Sequence, residues 1–145
     1  MLSKQANHAL KALLELAAEP ERWRSTHELA IAQQLPEPML EQILLRLRRA
    51  GILVARQGRF GGYRLAVSTR DVHLSTVLAS LGELSKIIPP ENAPSSAADK
   101  VTWTLNKQLE TARRRALEDL TIEDLLFDLH SAEAGASEDA GLVLG

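Results

Sequence analysis

One stretch of this sequence combines arginine and glycine in a way that favours contact with a charged partner. It is "RQGRFGGYRLA", residues 56–66, in which arginines 56, 59 and 64 surround three glycines, Gly58, Gly61 and Gly62. Guanidinium groups bind phosphate and carboxylate oxygens through paired N–H donors. Glycine lets the backbone turn tightly and approach another backbone closely. The stretch therefore predicts binding of a polyanion, and the glycines either make that close approach or serve the turn alone.

The charge of the chain is distributed unevenly. The net charge is −2 over 145 residues, but residues 37–70 carry seven arginines against two glutamates, a local charge of +5. Residues 1–36 are neutral overall, and residues 71–145 carry −7. A basic segment in an acidic chain indicates a local contact with a polyanion, although a solvated surface gives the same pattern.

Composition excludes several classes of function. The chain contains no cysteine, which removes disulfides, thiolate metal sites and cysteine nucleophiles and fits a cytoplasmic protein. No apolar run could span a bilayer, and the N-terminus lacks a signal-peptide core. The enzyme motifs GxSxG, HExxH and the phosphate-binding loop are absent, so we expect no enzymatic activity. Asp71/His73 and Asp128/His130 are isolated pairs, so we expect no metal and no cofactor.

Three helices are predicted in the first fifty residues. Ser3 caps a helix that ends at Pro20, and the capping-box spacing of Ser25 and Glu28 begins a second helix that runs to about Gln34. A third helix follows the short "LPEP" connection and ends at Gly51; its apolar stripe comprises Leu40, Ile43, Leu44 and Leu47. Two helices joined by a short turn, the second one basic, are typical of a helix-turn-helix.

A β-hairpin is predicted directly after the third helix. "ILVARQ" and "YRLAV" have the composition of short strands, and "GRFGG" between them is a hairpin connection. A fourth helix, from Leu74 to Leu84 with Ser75 as its cap, completes the unit. The predicted fold class is mainly α with a small β-hairpin: a winged helix-turn-helix domain over residues 1–84, followed by a long C-terminal helix.

The C-terminal half divides into a loop, two helices and a tail. Residues 85–100 are rich in proline and serine and predict a loop. Residues 101–130 contain a long helix and a short one that begins near Thr121 and Asp124. The long helix has a narrow apolar seam, which favours burial against a second copy of the chain, with packing on its own domain as the alternative; the seam comprises Val101, Leu105, Leu109, Ala112 and Ala116. Residues 131–145 are expected to be disordered.

Several segments together resemble one family of winged-helix transcription regulators, the family that includes IscR, NsrR and CymR. The matching stretches cover roughly residues 1–130: "LSKQANHALKALLELA", "LEQILLRLRRAGIL", "GRFGGYRLA" and "VHLSTVL", with a looser match at Trp103 and "TIEDLL". The resemblance implies a cytoplasmic homodimer that binds a palindromic operator in double-stranded DNA. The third helix would enter the major groove, the wing would contact the flanking minor groove, and residues 101–118 would form the dimer interface.

Individual roles can be assigned on the third helix. Glu37 and Pro38 begin it and are expected at the DNA, although proline departs from the small polar residues common there. Gln42 can pair with adenine through its amide, and Glu41 can accept a hydrogen bond from a cytosine amino group. Arg46 lies one turn after Gln42 and is expected to contact phosphate.

The wing departs from the family pattern. The resembling proteins often carry arginine directly before the first glycine, where this chain has Gln57. Arg56 points to the opposite strand face, so Arg59 is the stronger candidate for a DNA contact, with Arg56 as a second. Lys4 resembles a phosphate contact of the family.

The sensor differs as well. Cluster-binding members carry three cysteines in the loop over residues 85–100, and this chain has none, which excludes a cysteine-ligated cluster. A small molecule or a partner protein could carry the signal instead, or the protein could be a constitutive repressor without a sensor. We therefore expect a homodimeric, cluster-free repressor that does not bind membranes. The alternative is a winged-helix interaction module whose basic face binds an acidic protein partner.

Overall fold

The computed structural model describes residues 2–84 and 96–144. In chain order the elements are α1 (Lys4–Ala18), α2 (Thr26–Gln33), α3 (Glu37–Arg49), β1 (Leu53–Arg56), β2 (Gly62–Leu65), α4 (Leu74–Ser80), α5 (Ala97–Glu118) and α6 (Ile122–Leu144). A single 3-10 turn, Thr69–Asp71, connects β2 to α4. The predicted winged-helix fold class, mainly helical with one antiparallel hairpin, is confirmed.

The starts of α1 and α2 follow the predicted caps. The Ser3 hydroxyl accepts from the Ala6 amide at 3.0 Å, and the Ser25 hydroxyl accepts from the Glu28 amide at 3.1 Å. These bonds satisfy amides that have no partner within the first helical turn. Gly51 has a φ of +80°, which fits its predicted place after the end of α3.

Helices α1, α2 and α3 pack around one apolar core. Their inner faces are buried because their apolar residues recur at the helical period. The largest buried side chains of these helices are Leu13, Leu16, Leu29, Leu40, Ile43, Leu44 and Leu47. Leu53 and Leu65, directly paired across the hairpin, extend the same core under the wing.

A third segment pairs with the hairpin through a single β-bridge between Arg24 and Tyr63. The register of the hairpin itself pairs Arg56 with Gly62 and Leu53 with Leu65. The Arg24 amide also donates to the Tyr63 carbonyl at 3.0 Å, and the Tyr63 amide donates to the Arg24 carbonyl at 2.7 Å. The segment before α2 is therefore bonded directly to the wing.

The start of α6 belongs to the winged-helix core. Ile122 is fully buried, and its amide donates to the Val72 carbonyl at 2.9 Å. Thr121 and Asp124 cap the helix reciprocally, with the Thr121 amide 2.9 Å from the Asp124 carboxylate. The sequence placed residue 122 in a separate C-terminal segment, but its side chain fills the core of residues 2–84.

Four expectations need correction. Ser75 is not a helix cap: α4 begins at Leu74, as predicted, but His73 is the residue before it, and bridge pairing of His73 with Thr121 positions that backbone. Helix α4 also ends at Ser80 rather than Leu84. The loop predicted over 85–100 ends earlier, since α5 begins at Ala97 with Ser96 as its cap; residues 85–95 lie outside the described residues.

The fourth correction concerns the C-terminus. The sequence predicts a short helix followed by a disordered tail over 131–145, whereas α6 continues to Leu144. The segment contains no proline and is rich in alanine, which has the highest helix propensity. Of the residues that the structure describes, no helix has both the length and the apolar content to cross a membrane.

Candidate nucleic-acid interface

The first turn of α2 connects the wing to the start of α3. On one side, His27 Nδ1 lies 3.0 Å from a carboxylate oxygen of Glu37. On the other side, Ser25 and Thr26 line a cleft of about 630 Å³ whose opposite wall is the wing tip, residues 56–62. We call the exposed side chains of α3, the first turn of α2 and residues 56–61 the wing–helix surface. Contacts between these elements place them side by side.

The outer face of α3 is polar and accessible. Its inner face is buried in the core, and the predicted contact residues all lie exposed on the other side: Glu37, Pro38, Glu41, Gln42 and Arg46. Arg49, to which no role was assigned above, follows Gln42 by seven positions and is also exposed. Two helical turns therefore place Arg49 on the same face as Gln42.

Most arginines of the basic segment, residues 37–70, have no carboxylate partner among the described residues. Of its seven arginines, only Arg64 has a carboxylate oxygen within 4.0 Å in the part of the chain that the structure describes, Glu21 at 3.9 Å. By contrast, Arg22 and Arg24, which lie just before α2, form two ion pairs each. The unpaired guanidinium groups are available to an external polyanion.

Lys4 lies apart from this surface. It is exposed at the start of α1, where Ser3 bonds to the Glu83 carboxylate and the Gln5 amide donates to the Leu81 carbonyl at 3.5 Å. These contacts place it near the end of α4. Among residues 2–84 and 96–136, no hydrogen bond or ion pair joins the Lys4 side chain to the wing or to α3.

Two of the wing glycines are required by close backbone approach. A Cβ atom on Gly62, whose φ is +139°, would lie 2.3 Å from the Arg24 carbonyl oxygen. On Gly61 it would lie 2.0 Å from the Arg56 carbonyl oxygen. Gly58 has a φ of +107° but open space around it, so only its backbone conformation favours glycine. All three glycines therefore serve the conformation of the wing.

A tryptophan that the sequence analysis did not single out holds the wing arginines. The Arg56 guanidinium lies 4.6 Å from the centre of the Trp23 ring, and that of Arg64 lies 4.4 Å from it. Arg56 also donates to the Phe60 carbonyl at 2.8 Å. Arg56 is therefore engaged with the protein itself, whereas the Arg59 guanidinium lies 5.7 Å from the centre of the neighbouring Phe60 ring. No local pattern indicates these contacts, because Trp23 is far from the wing in sequence.

Arg24 is the buried charge beneath the wing. It is 8% exposed and lies 3.4 Å from the Glu15 carboxylate and 3.2 Å from that of Glu28. Gln33 also donates to Glu15, at 2.5 Å. A buried guanidinium needs such partners, since an unpaired buried charge is strongly destabilising. The network joins α1, α2 and the wing.

Helix α5 presents its apolar seam to solvent. Val101, Leu105 and Leu109 are 68%, 52% and 59% exposed, and Ala112 and Ala116 are exposed beside them. On the other side, Arg113 donates to the Glu83 carbonyl at 3.0 Å, which joins α5 to the end of α4. The alternative that the seam packs on its own domain is therefore wrong for the described residues.

Comparison with known proteins identifies the family. The model of the Rrf2 family, described as iron-dependent transcriptional regulators, matches residues 2–128. The chain belongs to the Rrf2 family. A Synechocystis protein named as an HTH-type transcriptional regulator is 35% identical over 99% of both chains. A second relative, the IscR regulator of Vibrio atlanticus, is 25% identical over 99% of this chain and 84% of its own length.

Solved structures of Rrf2-type regulators share the fold. IscR from T. potens superposes with a TM-score of 0.73 and 26% identity, covering 91% of this chain and 90% of that chain. CymR, the global cysteine regulator of B. subtilis, gives 0.71 and 26%, covering 87% and 95%. The relatives are DNA-binding transcriptional regulators and not enzymes. For this Rrf2 protein, they confirm the expectation of a DNA-binding regulator and the expectation of no enzymatic activity.

The family description names iron, and the residues of this chain do not fit a cysteine-ligated iron–sulfur cluster. The sequence has no cysteine, and such clusters are held chiefly by thiolates. Among the described residues, no three His, Asp or Glu side chains are grouped so that they could hold a metal ion. We therefore assign no function to a cluster in this protein.

Proposed function

We propose that this Rrf2 protein is a homodimeric repressor that binds a palindromic operator without an iron–sulfur cluster. The observation that carries the proposal is the wing–helix surface, on which unpaired arginines flank an exposed polar helix. Phosphate contacts supply affinity and base-edge contacts supply sequence choice, and this surface offers both kinds of side chain.

The outer face of α3 is proposed to enter the major groove. Gln42 is proposed to pair with an adenine and Glu41 to accept from a cytosine amino group. Arg46 and Arg49 are proposed to contact the phosphates on either side. Because Glu37 is hydrogen-bonded to His27, we expect it to position the α2–α3 turn rather than to contact a base.

Dimerisation is proposed to occur through α5. Three large apolar side chains of one helix face are half or more exposed, and their burial against the same face of a second chain removes them from water. A symmetric dimer contacts two half-sites separated by about one helical turn of DNA or a multiple of it. This geometry is the reason for expecting an inverted repeat.

Repression is proposed because an operator-bound dimer blocks access to the DNA by itself. The same dimer would need an additional contact with the transcription machinery to activate. With no cluster available, a small molecule or a protein partner is proposed as the signal if binding is regulated at all.

The test is a selection of bound duplexes from random DNA at near-physiological salt, with the full chain and no added effector. We expect enrichment of an inverted repeat, followed by lower output from a reporter promoter that carries it. A reporter carrying the repeat with both half-sites scrambled is the control. Enrichment of a single half-site would contradict the dimer, and higher reporter output would contradict repression.

The same selection separates the remaining alternatives. Equal recovery of all sequences, without any enriched motif, would contradict operator recognition and return the acidic-protein partner as the explanation for the basic surface. Enrichment without an effector agrees with constitutive binding. Loss of that enrichment on adding a metabolite would identify a small-molecule signal.

A further inference from the structure

The tip of the wing presents an aromatic ring to solvent. Phe60 is 79% exposed and lies between Arg59 and Gly61, at the outermost turn of the hairpin. The Arg59 guanidinium lies 5.7 Å from the centre of this ring. The exposure gives the isolated protein no hydrophobic stabilisation, so the ring contributes only when something covers it.

The backbone that carries this ring is held in place. The Arg56 guanidinium donates to the Phe60 carbonyl at 2.8 Å, and the Trp23 ring in turn lies 4.6 Å from that guanidinium. The Gly61 amide donates to the Gly58 carbonyl at 3.1 Å, which closes the turn. Three interactions therefore fix the tip, and the ring is presented outward from an ordered turn.

The charge around the ring favours DNA as the group that covers it. Arg56 and Arg59 flank Phe60 and have no carboxylate partner among the described residues, so an acceptable partner must be anionic at its edge and apolar inside. The DNA minor groove has this chemistry, with phosphates at both rims and sugar and base surfaces within it. A second copy of this chain would bring the same positive charges together, which disfavours self-association through the tip.

From this, resting on the proposed operator binding, we propose that Phe60 packs into the minor groove beside each half-site and makes affinity depend on the deformability of that flank. A phenyl ring has no hydrogen-bond donor or acceptor, so it cannot distinguish base edges directly. Apolar side chains in the minor groove act by opening the groove and partly unstacking a base step. Pyrimidine–purine steps such as TA deform most readily, whereas A-tracts are stiff and narrow.

The first test compares operators that share the selected half-sites and differ only at the flank, with a TA step or an A-tract. Wild-type protein is expected to prefer the TA flank, and Phe60→Ala is expected to lose this preference and about tenfold in affinity per half-site. That factor corresponds to burial of roughly 55 Å² of ring at about 25 cal/mol per Å². Phe60→Leu, which keeps an apolar side chain, should retain part of both effects.

Two controls separate this contact from electrostatics and from folding. Phe60→Ala removes no charge, so the slope of log affinity against log salt should stay at the wild-type value. Its unfolding midpoint should also be unchanged, because the side chain is exposed. An identical flank preference in wild-type protein and Phe60→Ala would overturn the proposal. Failure of the wild-type protein to bind any duplex would instead contradict the proposed function.

The second test observes the ring directly. The chain has only two phenylalanines, Phe60 and Phe127, so 4-fluorophenylalanine labelling gives two ¹⁹F resonances that Phe127→Leu assigns. On addition of the operator, the resonance of residue 60 is expected to lose its H₂O/D₂O isotope shift while that of residue 127 keeps it. A residue-60 ring that remains solvated in the complex would refute the proposal. Loss of the isotope shift at residue 60 when the protein concentration is raised without DNA would also refute the proposal, because the ring would then be buried between copies of the protein.

Discussion

Substitution of Gly62 by alanine should detach the wing from the segment before α2. The added Cβ would lie 2.3 Å from the Arg24 carbonyl oxygen and 2.8 Å from the Ser25 amide nitrogen. Both contacts are far shorter than van der Waals separation, and both involve backbone atoms that no rotamer change can move. The strand must therefore shift away from Arg24.

That shift breaks the two backbone hydrogen bonds between Arg24 and Tyr63, which are 3.0 and 2.7 Å long. At about 0.5–1.5 kcal/mol each, their loss costs about 1–3 kcal/mol of unfolding free energy. Gly58→Ala is the matched control. Gly58 also has a positive φ, +107°, but a Cβ there meets no atom within 4 Å. Both variants incur backbone strain, and only Gly62→Ala incurs the clash.

The assay is urea unfolding at one fixed protein concentration, followed by far-ultraviolet circular dichroism. For a small domain with an m-value of about 1–3 kcal/mol per molar urea, we expect the midpoint of Gly62→Ala to fall about 1 M below that of Gly58→Ala. The fluorescence of Trp23, which contacts Arg56 and Arg64, should change in native Gly62→Ala but not in native Gly58→Ala. Equal midpoints for the two variants would refute the assignment of Gly62 to the Arg24 contact.

Four further outcomes are expected. Arg59→Ala should weaken binding to all duplexes and reduce the salt slope by about one unit, and an unchanged slope would remove Arg59 from the phosphate contacts. Gln42→Ala should cost about 1–3 kcal/mol on the selected operator and relax choice at one base per half-site, whereas equal losses on all sequences would assign it to the DNA backbone. Leu109→Glu should give a monomer in sedimentation with a normal helical spectrum, while Asn106→Glu, exposed on the same helix, should stay dimeric; a dimeric Leu109→Glu would contradict the α5 interface. Burial, together with the nearby Lys4 and Lys11, lowers the pKa of His8 below its ordinary value of 6.5. The unfolded chain therefore binds the His8 proton more tightly than the folded chain does. The contribution of His8 to the free energy of unfolding is then fully present above pH 6.5 and is lost as the pH falls below 6.5. His8→Gln should flatten that fall in pH-dependent thermal unfolding, and an unaltered profile would exclude His8 as its source.

In the C-terminal region, the local sequence pattern was insufficient to predict which side chains pack against the rest of the protein. The seam of α5 could be identified from its spacing, but the same spacing allowed packing on the protein's own domain, and only the position of α5 beside α4 left the seam exposed. Ile122 belonged, by sequence, to a separate segment. The Ile122 amide donates to the Val72 carbonyl and the Leu120 carbonyl accepts from the Leu74 amide, so this segment is bonded to residues that are distant in sequence. Such contacts have no local signature, because they are formed only when the chain has folded.

The sequence by itself determined the starts of α1 and α2, the buried face of α3 and the presence of the wing. These features depend on caps, periodicity and glycine positions within a few residues, which local interactions encode. The tertiary structure decided which arginines are free. Arg24 is buried between two carboxylates and Arg56 lies against Trp23, whereas Arg59 points outward beside an exposed Phe60. In the sequence these arginines carry the same charge and are equivalent in that respect. Their burial and contacts differ because the residues around each of them come from other elements of the chain.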